Sequence, residues 1–116
     1  MKPYSLHLLE ELDDKLQMRQ LIELFLTNTP SQIRELQAEA GNKNWKKVYA
    51  HAHKLKGSAS IFYAGELVAL SQQIEKQVNV PGGSAVDEDS INGFLLSLTA
   101  AFPKIEILLS EELKNL

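Results

Sequence analysis

Cysteine is absent from the 116 residues. That excludes a disulfide framework, a cysteine nucleophile and a cysteine zinc site, and it fits a reducing compartment such as the cytoplasm. Glycine and proline are scarce, at six and four residues. With so few chain breakers, most of them clustered, the expectation is helices joined by short loops. A basic surplus is also missing. Lysine and arginine total 12 against 15 acidic residues, a formal net charge of -3, so nothing biases the chain toward nucleic acid or an anionic membrane. The most apolar stretch, Phe94 to Phe102, is broken by Ser97 and Thr99 and falls short of the ~20 residues a membrane helix needs. The start, Met1-Lys2-Pro3-Tyr4, has no apolar run behind its lysine, so no secretory signal is expected. No glycine-rich phosphate loop and no Ser-His-Asp pattern occurs.

What is present is a globular balance: 44% apolar and 23% charged residues, in a length that suits one domain over residues 1–116. A chain of this size buries roughly two-thirds of its unfolded surface, enough for a true core. Asp13 is a candidate N-cap for a helix with an apolar stripe of Leu21, Leu24, Phe25, Ile33, Leu36 and Ala40. Thr29-Pro30-Ser31-Gln32 interrupts it as a capping box with proline at the first helical position, so this helix either kinks or restarts there. Gly41-Asn42 closes it. Asn44 opens the next helix, whose apolar arc is Trp45, Val48, Ala52, Leu55, Ala59 and Phe62. A further helix from Ala64 or Gly65 carries Leu67, Leu70, Ile74 and Val78, and a linker follows from Asn79 to Asp89. Asp89 or Ser90 caps the last helix. Its stripe of Ile91, Leu95, Leu98, Phe102, Ile105 and Leu109 repeats like a bundle seam, with a kink expected at Pro103. Ser5 to Leu12 adds a short helix. The fold class read from this pattern is all-α: an antiparallel up-down four-helix bundle with a short extra N-terminal helix.

The helix after Asn44 has a second face. At ~100° per residue, Lys46, Tyr49, Ala50, Lys56, Gly57 and Ser60 all fall within about 60° of His53, opposite the apolar arc. A solvent-facing imidazole therefore lies among lysines one turn from a glycine. Glycine in a helix interior costs about 1 kcal/mol relative to alanine, which points to close approach by another molecule. A neutral, exposed imidazole is a good nucleophile near pH 7.

The run Ala52-His53-Lys54-Leu55-Lys56-Gly57-Ser58 resembles the signature of histidine-containing phosphotransfer domains. Leu21-Ile22-Glu23-Leu24-Phe25-Leu26 is similar to the family's first-helix pattern, Asn44-Trp45 to its turn into the histidine helix, and Leu67, Leu70, Ile74 and Glu75 to the helix after it. The resemblance covers nearly the whole chain. It implies a phosphorelay carrier that accepts a phosphoryl group on His53 from a receiver-domain aspartate and passes it to another. Lys56 would neutralise phosphoryl charge, and Gly57 would leave room for the receiver. Glu75, where some members have glutamine, would either contact the imidazole or pair with a lysine. The implied partners are a response-regulator receiver domain and a hybrid sensor kinase. The resemblance implies no cofactor on this chain, magnesium being carried by the receiver, and a monomer that turns over no small substrate. One position departs: the family commonly has glycine where this chain has Tyr63, which puts the join to the following helix in question.

Other residues carry plainer readings. His51 and His53 lie about 200° apart on a helix and cannot share a metal, so His51 reads as a core or boundary histidine. Lys47 and Lys54 read as solvated, Trp45 and Phe62 as core, and Tyr49 as a docking residue. Two competing functions remain at this level. A histidine-kinase dimerisation domain would carry an acid directly after the histidine, where this chain has Lys54. A helical scaffold that binds a receiver without taking phosphate would not need His53, Lys56 and Gly57 together.

Overall fold

The computed structural model describes residues 2–79 and 85–116. Among them are five helices: α1 (His7–Glu10), α2 (Lys15–Gly41), α3 (Trp45–Ile61), α4 (Gly65–Val78) and α5 (Glu88–Lys114). Helices α2 to α5 pack in a ring in which each touches its two sequence neighbours and α5 closes onto α2. Short connections force consecutive helices antiparallel, so the architecture is the expected four-helix bundle with a short extra helix at its N-terminal end. The shape is elongated, 48 × 24 × 22 Å.

The stripes that build the core are mostly those expected. All six seam residues of α5 are buried, from Ile91 through Leu109. On α3, Val48, Ala52, Leu55 and Ala59 are buried, as is Phe62 at its C-cap, and Trp45 is half-buried. Phe25 stacks on Phe62 with ring centroids 4.3 Å apart and meets Phe102 edge-on at 6.1 Å, which ties α2, α3 and α5 together at one level of the core. The N-terminal segment joins this core through Tyr4 and Leu9, and the Ser5 amide donates to the Phe62 carbonyl at 2.7 Å.

The boundaries differ from the sequence reading in instructive ways. Asp14, not Asp13, caps α2 by accepting from the Gln17 amide at 3.0 Å, while Asp13 holds a left-handed φ of 51°. Asp87, not Asp89 or Ser90, caps α5. Its carboxylate accepts from the Ser90 amide at 3.2 Å and the Ser90 hydroxyl at 2.8 Å. The hydroxyl bond is the main reason the Asp87 carboxyl sits below its usual pKa. Helix α2 does not restart at Thr29-Pro30; it runs unbroken through Pro30, and Thr29 is buried inside it. Proline removes one backbone bond, but Phe25, Ile33 and Leu36 hold the stripe to the core on both sides of Pro30. Pro103 likewise stands inside α5 without ending it. Leu24 is not core but 55% exposed. Of the expected linker, Pro81-Gly82-Gly83-Ser84 lies outside the described residues.

Helices α2 and α3 both end in the same reciprocal turn. The Lys43 amide donates to the Ala40 carbonyl and the Asn44 amide to Glu39; the Tyr63 amide donates to Ser60 and the Ala64 amide to Ala59. This pairing requires a left-handed residue after the cap, and Lys43 and Tyr63 supply it with φ of 56° and 49°. Tyr63 thus stands where a glycine would be at ease, and the join is made with the strained residue.

By length and composition α5 is apolar enough to cross a membrane, with a mean hydropathy of 1.4 over its best 18-residue window. Ser97 and Thr99 break the apolar run without lowering that average below a membrane-helix level. In the bundle the stripe of α5 faces α2 and α4, which buries 33% of that window, while Leu96 and Ile107 remain exposed.

Candidate functional site at His53

The site is built by one face of α3 and the buried edge of α4. The His53 side chain is 63% exposed. Helical side chains lean toward the N-terminus, so the imidazole lies back over the turn that carries Tyr49. The two rings are nearly parallel, 8° apart, with centroids 6.2 Å apart. By the same rule, a side chain at position 57 would lean back over His53. Gly57 has none, and a Cβ built there meets nothing within 4 Å. Among the described residues, then, the space beside Gly57 on the His53 side of α3 is left open.

Helix α4 closes the opposite flank. Its inward arc runs Leu67, Ser71, Ile74, Glu75, so a carboxylate is carried into the α3–α4 seam by the same period that buries the aliphatic residues. Glu75 is only 7% exposed. Its Oε2 accepts a hydrogen bond from Lys56 Nζ at 3.1 Å, and Oε1 lies 3.0 Å from the same nitrogen without hydrogen-bond alignment. Oε2 also stands 3.6 Å from His53 Nδ1, an ion-pair distance too long for a hydrogen bond. One carboxylate thus pairs with Lys56 and stands near the His53 imidazole without a hydrogen bond to it. Electrostatically the arrangement is sensible: a buried carboxylate needs a cation or donors beside it, and Lys56 bends inward to provide one.

His51 points elsewhere. Its Nδ1 lies 3.2 Å from Glu35 Oε2 on α2, with the side chain 22% exposed, so it is a boundary residue bridging α3 to α2 and shares no partner with His53. Lys46 and Lys54 are exposed on α3. Beyond Gly57, on the flank away from Glu75, an apolar groove runs between α2 and α3, lined in part by Leu21, Leu24, Ser58 and Ile61. Leu24 and Ile61 are 55% and 39% exposed. Sequence reasoning placed Leu21 and Leu24 in the core; the signal for the groove was an apolar arc on α2 wider than one packing stripe requires.

With that geometry in place, the comparisons with known proteins decide the family. The family model described as the Hpt domain matches residues 20–116. This chain belongs to the Hpt domain family. Membership puts it in histidine phosphotransfer of two-component phosphorelays, a carrier role exercised toward receiver domains and kinases. Comparison with curated proteins and with solved structures found no match. In this Hpt domain, the only histidine of three that is both exposed and backed by a buried carboxylate is His53; His7 is exposed at the bundle end and faces Glu11, and His51 is the bridge to α2.

Proposed function

We propose that this Hpt domain carries a phosphoryl group on Nε2 of His53, taking it from the aspartyl phosphate of one receiver domain and giving it to the aspartate of another. The observation that carries the reading is the exposed imidazole whose Nδ1 edge faces buried Glu75 while Gly57 leaves the ring open from above. In the tautomer with its proton on Nδ1, the edge that faces Glu75, the ring has its lone pair on Nε2. That lone pair attacks phosphorus, the Nε2–P bond forms, and the bond from phosphorus to the aspartyl oxygen breaks. The positive charge that develops on the ring faces the Glu75 carboxylate. Lys56 shares its ammonium between Glu75 and the phosphoryl oxygens, and Lys46, on the His53 face, adds positive charge that draws in an acidic receiver pocket. Such transfer needs positioning and charge neutralisation more than covalent machinery, so magnesium is assigned to the receiver and no cofactor to this chain. The groove at Leu24 and Ile61 is where the receiver's apolar surface would seat. The reading carries with it a monomeric, cytoplasmic domain served by a hybrid sensor kinase.

The test is mass spectrometry after incubation with a phosphorylated receiver domain. Phosphate should appear on His53 alone, stable to base and lost in acid. Transfer should survive in His51→Gln. Uptake of acid-labile phosphate by His53→Gln would overturn the assignment.

A further inference from the structure

The exposure of His53 raises a difficulty that the rest of the site does not answer. A 63% exposed imidazole has few contacts to fix its orientation. The Glu75 carboxylate reaches only one edge, and at 3.6 Å it steers the ring without clamping it. Gly57 offers nothing on the C-terminal side. The remaining neighbour is Tyr49, one turn earlier on α3, whose ring runs parallel to the imidazole within 8°. Tyr49 is itself 37% exposed, so its ring is in part held by the protein and can serve as a wall. An aromatic pair at a 6.2 Å centroid distance is inside the range where such rings attract.

We propose that Tyr49 is a positioning residue for phosphoryl transfer: its ring runs parallel to the imidazole at a 6.2 Å centroid distance, and it biases the ring plane so that Nδ1 stays at Glu75 while Nε2 faces the opening above Gly57. Tyr49 touches neither the phosphoryl group nor the reacting nitrogen. It acts by removing orientations of His53 in which the wrong edge is presented. The pairing is one of ring with ring, so phenylalanine should replace it and alanine should not. The proposal rests on His53 being the phosphoacceptor.

The test has two arms on the intact chain. Nuclear magnetic resonance of the unphosphorylated protein reads the His53 side-chain couplings and the nitrogen shifts that report its tautomer. Transfer from a phosphorylated receiver gives rate and receiver affinity separately. Tyr49→Ala should show averaged His53 orientations and transfer slowed by about 2- to 10-fold, the rate equivalent of one aromatic pair, with receiver affinity unchanged. Tyr49→Phe should match the parent in both arms. Unchanged His53 couplings in Tyr49→Ala would overturn the proposal. So would a loss of receiver affinity without a change in ring orientation, which would make Tyr49 a docking residue only. Failure of the parent protein to accept phosphate would refute the reading of His53 instead, and the resonance arm would still judge whether Tyr49 orders the ring.

Discussion

Removing the Lys56 ammonium leaves Glu75 with no cation at hydrogen-bond distance. Glu75 is 7% exposed, and the Lys56 side chain that serves it is 29% exposed. A hydrogen bond to a charged group contributes about 1.5–3 kcal/mol, and an orphaned buried charge costs at the upper end of such figures. Partial access of Lys56 to water pulls the value down. Lys56→Ala should therefore destabilise the domain by about 2 kcal/mol, even though alanine is the better helix former. Glu75→Gln keeps an acceptor for Lys56 and removes the charge, so its cost should be smaller, about 1 kcal/mol. In the double variant the orphaned carboxylate no longer exists. The two costs should overlap, giving a coupling of about 1 kcal/mol. For a domain of this size each kcal/mol moves the melting temperature by about 4 °C. Urea denaturation of the four proteins measures the cycle. Costs that add to within ~0.5 kcal/mol would show that the pair is a surface contact and that the argument from burial is wrong. The phosphorylated state is tested with Lys56→Ala and with Lys54→Ala as a control. Lys56→Ala should shorten the phosphohistidine lifetime, and exposed Lys54→Ala should leave both stability and lifetime near the parent values.

Gly57→Ala should raise stability by up to ~1 kcal/mol, because the added methyl meets open space and alanine is the better helix former; Gly57→Gln should melt normally but slow transfer from a receiver, since its side chain leans back over His53. Normal transfer by Gly57→Gln would remove the argument for approach from that side. Tyr63→Gly should stabilise the chain by about 0.5–1 kcal/mol by relieving the φ of 49°, and a lower melting temperature would show that the tyrosine side chain contributes more than the strain costs. Burial, and after it the charge of Glu112, pushes the Tyr4 phenol up to about 12 from 10. A raised folded-state pKa means its contribution is whole below pH 10 and lost as pH climbs toward 12. Tyr4→Phe should flatten the alkaline end of the stability curve, measured by denaturation between pH 9 and about 11.5; an unchanged slope would assign the alkaline loss to other groups.

Periodicity by itself determined the helices, the buried seam of α5 and the exposed face of α3, because side chains three and four apart on a helix share a face whatever the helix packs against. The same arithmetic set His53 and Gly57 side by side and separated His51 from His53. Local rules were weaker where two candidates stood together. Asp13 and Asp14 are equally good caps in sequence, and only the chain path, left-handed at Asp13, chose between them. Pro30 was a fair place to break a helix until the packing of Phe25 and Leu36 outweighed one lost hydrogen bond. The role of Glu75 was decided entirely by tertiary structure. Whether a carboxylate on α4 meets an imidazole or a lysine on α3 depends on how the two helices are rotated against each other, and no spacing within either helix encodes that rotation. The antiparallel packing placed Oε2 between Lys56 and His53, and the partition of Leu24 into solvent rather than core followed from the same arrangement of α2 on α3, because each helix surface can face only one neighbour at a time.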